Sequence, residues 1–113
     1  MNNFNTITYN VTGGTAPLTL INGKNTDEKV AVQVVTDPTY DGTTDLITIQ
    51  ESNDGIKWNN IEWDGTTLEL PINAPNDTFM LKTYIFFGVY IRAMFTKGDS
   101  TTGVLTISTK TKM

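Results

Sequence analysis

The sequence predicts an all-β protein, a single antiparallel β-sandwich (or a barrel-like closure of the same sheets) of about seven to nine short strands spanning residues 1–113. Three observations carry this. Apolar and polar residues alternate at period two in segment after segment, and no long stretch has the 3.6-residue period of an amphipathic helix. Turn-forming residues punctuate the chain about every ten residues. The polar complement is rich in Thr and Asn, and β-branched Thr suits a pleated surface whose outer face meets water.

In residues 4–11, Ile7, Tyr9 and Val11 share one face and Thr6, Thr8 and Asn10 the other, before Gly13-Gly14 breaks the strand. A second strand at 18–21 ends at Asn22-Gly23, a hairpin-type dipeptide. In the third, 29–36, Val30, Val32 and Val34 point inward. Asp37-Pro38 and Asp41-Gly42 mark a loop. A strand at 45–51 leads into Asn53-Asp54-Gly55, where Gly allows the positive φ of a tight primed turn, and 56–63 is expected as the returning arm. Asp64-Gly65 makes another turn before a strand at 67–72, which Pro71 assigns to a sheet edge. Residues 73–77 are a loop and 79–81 a short strand or bend. The most apolar segment, 84–96, is expected at the centre of the core and covered on both sides. A turn at 97–103 and a strand at 104–109 complete the sheets.

A length of 113 residues suits one ordinary domain, with no repeat or boundary visible. The formal net charge is −4, and the basic residues, including the only arginine, Arg92, are scattered. With no basic stripe to displace counterions from a phosphate backbone, nucleic acid is not an expected partner. No apolar run approaches the ~20 residues of a membrane helix, and Met1-Asn2-Asn3-Phe4 has neither the basic nor the apolar region of a secretory signal. The expectation is a protein made in the cytoplasm, independent of membranes.

There is no His and no Cys, which removes the commonest general base, the commonest thiol nucleophile and the best transition-metal ligands. No phosphate-binding Gly loop or nucleophile elbow is present. The reading is therefore of a non-enzyme, with no catalytic residues, cofactor or metal. Asp37, Asp41 and Asp45 recur every four residues and offer hard oxygen ligands, but the spacing is not that of an EF-hand and Asp is a standard turn former. A glycosidase-type carboxylate pair drawn from Glu51, Glu62 and Glu69 has nothing local to orient it. Trp58, just after a turn, is expected to pack in the core or at its rim. Trp63 and Tyr40, joined by Phe4 near the N-terminus, form the expected partner surface, since clustered exposed aromatics mark such surfaces.

Two segments are familiar together. Ser52-Asn53-Asp54-Gly55 followed by Trp58 has the form S-N-D-G-x-x-W, and Tyr90-Ile91-Arg92 runs through Thr96-Lys97-Gly98 to Gly103-Val104-Leu105-Thr106. The pairing, spanning residues 45–109, resembles small β-sandwich structural proteins of tailed-bacteriophage virions, especially head decoration (auxiliary capsid) proteins. The Asn- and Thr-rich composition is similar to that of crAss-like phages of gut-type hosts. The resemblance implies a structural protein on the capsid surface of the virion, binding the major capsid protein or other virion proteins in many copies, and carries over no catalytic residue. A tail or fibre component is the nearest alternative. A carbohydrate-binding module, with Trp63, Tyr40 or Tyr84 stacking on a glycan, is the alternative of another class. In the decoration reading, residues 2–10 are expected to pair with a neighbouring subunit as an added strand.

Overall fold

The computed structural model describes residues 2–21, 29–63, 65–83 and 90–112. Among these, eleven strands form: β1 (Asn2–Asn10), β2 (Ala16–Ile21), β3 (Lys29–Thr36), β4 (Asp45–Ser52), β5 (Asn59–Asn60), β6 (Glu62–Trp63), β7 (Thr66–Thr67), β8 (Glu69–Ile72), β9 (Thr78–Thr83), β10 (Tyr90–Thr96) and β11 (Val104–Lys112). A 3-10 turn at Val11–Gly13 follows β1. Setting aside the two-residue strands β5, β6 and β7 leaves eight, within the expected number.

Two antiparallel sheets pack face to face. One has the order β1-β11-β3-β9; in the other, β2, β10 and β4 lie side by side, with β5 and β8 sharing the far edge of β4. The chain crosses between sheets from β1 to β2, β2 to β3 and β3 to β4, and again from β8 through β9 and β10 to β11. Such crossings let every long strand turn one apolar face onto the opposite sheet. Inward positions follow the alternation: Val32 and Val34, Ile47 and Ile49, Ile91, Ala93 and Phe95, and Leu105 and Ile107 are all fully buried. Each large aliphatic or aromatic side chain so buried contributes about 1.5–3 kcal/mol. Tyr9 of one sheet meets Phe95 of the other with ring centroids 5.5 Å apart.

Pro71 lies on edge strand β8, opposite Leu46 of β4, where its missing N–H costs the ladder nothing. β10 sits between β2 and β4, as a core strand should, but its outer residues Tyr90, Arg92 and Met94 are only half-buried. The expectation of cover on both sides thus fails for these residues; its first half, 84–89, lies outside the described residues, as does Asn22-Gly23. The strands flanking Asn22-Gly23 belong to different sheets and do not form a hairpin.

One further expectation is corrected. Asn53-Asp54-Gly55 does not make a tight hairpin: Asn59 and Asn60 pair back onto β4, opposite Glu51 and Gln50, the Ile61 amide donates to the Ile49 carbonyl, and β6 instead pairs with β7. Residues 2–10 form the edge strand β1 of their sheet, so the expected pairing with a neighbouring subunit would use its outer edge. They pair along their whole length with the chain's own β11, and Ile7 and Tyr9 pack against the core.

Candidate partner-binding surface

The outer face of the second sheet carries a ladder of polar side chains in register. Arg92 of β10 lies opposite Gln50 of β4, which lies opposite Asn60 of β5. Arg92 Nε donates to Gln50 Oε1 at 2.7 Å, and Gln50 Nε2 donates to Asn60 Oδ1 at 2.9 Å. Trp58 covers this ladder. The Arg92 guanidinium carbon is 4.2 Å from the Trp58 ring centroid, a cation–π contact. Tyr90 meets the same indole edge-on, centroids 6.5 Å apart. Partial burial lowers the Arg92 pKa from its usual value, without threatening the charge of a guanidinium.

The loop that presents Trp58 is built from its own side chains. Ser52 Oγ accepts the Asp54 and Gly55 amides, and Asp54 Oδ1 accepts those of Ile56 and Lys57 at 2.8 and 2.9 Å. Amides that a tight hairpin would commit to the opposite strand are thus satisfied locally, so the loop stays wide. The Lys57 amide first, then that of Ile56, holds the Asp54 carboxyl below its usual range. Gly55, at φ +74°, packs over the Tyr90 ring: a Cβ there would lie 3.4 Å from it. Ile56, at the loop's crest, is 80% exposed. Trp58, Tyr90 and Arg92, packed together on this face, are the residue types of an interface hot spot.

At one end of the sandwich, loops 37–44 and 97–103 interlock. Asp41 Oδ1 accepts the amides of Thr101 (2.7 Å) and Thr102 (3.1 Å), and its other oxygen accepts the Thr101 hydroxyl. Asp99 Oδ1 accepts the amides of Thr43 (2.7 Å) and Thr44 (3.0 Å), and its other oxygen accepts the Thr43 hydroxyl. The two turns share a sequence, Asp41-Gly42-Thr43-Thr44 and Asp99-Ser100-Thr101-Thr102. That repeated D-x-T-T was the signal available in the sequence for this end of the molecule. Beneath them Asp45, 2% exposed, accepts the Gly98 amide and the Tyr40 hydroxyl.

Of the three expected surface residues, Tyr40 is corrected. It is 2% exposed: its hydroxyl donates to Asp45 Oδ2 at 2.7 Å and lies 2.9 Å from the Ile72 carbonyl oxygen. Burial first, then the Asp45 carboxylate, pushes the phenol far above its usual pKa. A phenol with a partner for its hydroxyl is a stable core residue. Gly103, at φ +126°, allows the close approach, since a Cβ there would fall 2.5 Å from the Tyr40 Cα. The side chains of Phe4 and Trp63, and all of Tyr84, lie outside the described residues. Trp58, expected at the core or its rim, is half-buried on the outer face. Tyr90 and Arg92, which carry the resemblance, stand at outward positions on β10, and outward positions on so apolar a strand are the sequence clue to this face. Asp37 accepts the Val104 amide and the Thr39 hydroxyl, so Asp37, Asp41 and Asp45 all serve loop closure. Among the described residues no group of three or more acidic side chains is arranged to hold a metal. Glu51, Glu62 and Glu69 stand on three different strands.

No protein-family model, curated protein or solved structure matches this chain.

Proposed function

We propose that this chain is a non-catalytic structural protein of a bacteriophage virion, a decoration protein bound in many copies to the assembled head lattice, with the major capsid protein as its partner. One observation carries the reading. The two segments that resemble phage decoration proteins are far apart in the chain but meet on one face, where Trp58 of the S-N-D-G-x-x-W loop packs on Tyr90 and Arg92 of the Y-I-R strand. Their resemblance therefore has a single physical locus, and that locus has the residue types of a protein interface. The interlocked Asp–Thr loops support the same role, because a lattice protein without disulfides needs rigidity from hydrogen bonds and packing.

The test is the whereabouts of the protein in purified particles of the encoding phage, by mass spectrometry of separated heads and tails and then cryo-electron microscopy. Stoichiometric copies on the head shell are expected, with the Trp58 face at the lattice. Copies confined to tails would favour the tail or fibre alternative. Absence from every fraction would overturn the virion reading. Glycan binding would then be examined, on a surface that excludes the buried Tyr40.

A further inference from the structure

Arg92 is the only arginine of an acidic chain, and it is held in a way that leaves a defined part of it for use. Its Nε is committed to Gln50, and one face of its guanidinium lies over Trp58. Gln50 is itself fixed by Asn60. Among the described residues no carboxylate pairs with Arg92, although Asp and Glu outnumber Lys and Arg by 12 to 8. The fork is thus oriented before any partner arrives, and its terminal amino groups make no hydrogen bond to a described residue. A guanidinium in that state matches a carboxylate in two parallel hydrogen bonds, and little side-chain entropy remains to be lost on binding. On the loop that presents Trp58, Ile56 offers an apolar side chain at 80% exposure, and that loop is stiffened by Asp54 and Ser52.

We infer that the Ile56–Trp58–Arg92 face binds a protein segment presenting an Asp or Glu carboxylate next to an aliphatic side chain, the carboxylate seated on the Arg92 fork and the aliphatic group against Ile56. This rests on the reading of the chain as a protein-binding module and names the chemistry of its partner. Charge complementarity selects that occupant. Arg92, with Lys57 on the same loop as Trp58, in a chain of net charge −4 whose other basic residues are scattered, suits a carboxylate rather than a polyphosphate backbone, which needs several cations in a row. A neutral sugar stacks best on an open indole, whereas Trp58 is half-buried with Arg92 over one face and Tyr90 against its edge.

The full chain is panned against a displayed random peptide library. Enrichment of peptides with an acidic residue beside an aliphatic one is expected. Arg92→Lys, which keeps the charge but not the fork, should weaken the winning peptide about tenfold or more. Ile56→Asp, at a site too exposed to affect folding, should abolish binding by placing a like charge beside the carboxylate. Because the chain has one arginine, its Nε–H gives one side-chain NMR resonance of this type, which should move when the peptide binds. Peptides without an acidic residue, undiminished binding by both variants, a stationary Arg92 resonance, or binding to acidic glycans on an array in place of peptides would each overturn the inference. None of these readouts uses particles. Failure here with the protein present on heads removes only the carboxylate chemistry, whereas success with the protein absent from particles removes only the virion setting.

Discussion

Asp41 and Asp99 each close the other's turn: the carboxylate of either accepts the two Thr amides and a Thr hydroxyl that follow the other in its D-x-T-T segment. Further bonds join this end, from the Asp99 amide to Thr44 Oγ1, the Asp41 amide to the Thr102 carbonyl, the Asp37 amide to the Val104 carbonyl and the Val104 amide to Asp37 Oδ1. Residues about sixty apart in sequence are thereby fixed as one rigid end of the sandwich.

Because the two halves share an interface, their losses should not add. Asp41→Ala and Asp99→Ala should each lower the urea midpoint. The double variant should lose less than the sum, since opening one half leaves less for the other to hold. Strict additivity across the cycle would mean that the turns are independent.

Acid should open this end first. The Thr43 hydroxyl and then its amide hold Asp99 far below the usual carboxyl value of 3.8, and the Thr101 hydroxyl and amide lower Asp41 from the same value. A carboxyl whose folded pKa is depressed contributes stability that is present above its unfolded pKa and is lost as pH falls through the folded value. Urea midpoints should therefore hold steady down to about pH 5 and fall below about pH 4, with a shallower fall in Asp99→Asn. Equal acid limbs in the wild type and the variant would contradict this.

Tyr40→Phe removes the hydroxyl that the buried Asp45 carboxylate accepts. Leaving such a group short of a donor should cost about 1–3 kcal/mol in chemical denaturation. The phenol's pKa is raised above its usual 10.0 in the folded state, so its contribution is full below pH 10 and is lost as pH rises toward the folded value. Part of the alkaline loss of stability should accordingly disappear in the variant. A Phe variant as stable as the wild type would show that Asp45 finds its donors elsewhere.

Thr109 offers the opposite sign. It is 2% exposed on β11, and its buried Oγ1 has no hydrogen-bond partner among the described residues. Thr109→Val has nearly the same shape without the unpaired oxygen, and should stabilise the protein by about 1 kcal/mol, read as a melting temperature raised by roughly 4 °C. A lower melting temperature would show that the hydroxyl is satisfied in solution.

The strands were legible because burial against a second sheet imposes period two. Lys29–Thr36 coincides with its expected bounds, and the inward sets Val32/Val34, Ile47/Ile49 and Leu105/Ile107 follow from alternation alone. Pro71 placed its strand at an edge because it has no N–H to donate. The turn at Asp54-Gly55 was misjudged because Asp54 and Ser52 satisfy the loop amides themselves, a competition that dipeptide signals do not register.

What the sequence determined by itself was the fold class, most strand positions and the faces they bury, for these depend on local pattern. Which strands became neighbours, and hence that Trp58, Tyr90 and Arg92 share one surface while Tyr40 sinks beneath Gly103 onto Asp45, was decided only in the tertiary structure. Period two assigns a residue to a face of its own strand, but sheet crossings and cross-strand register, set by contacts distant in sequence, determine what that face meets.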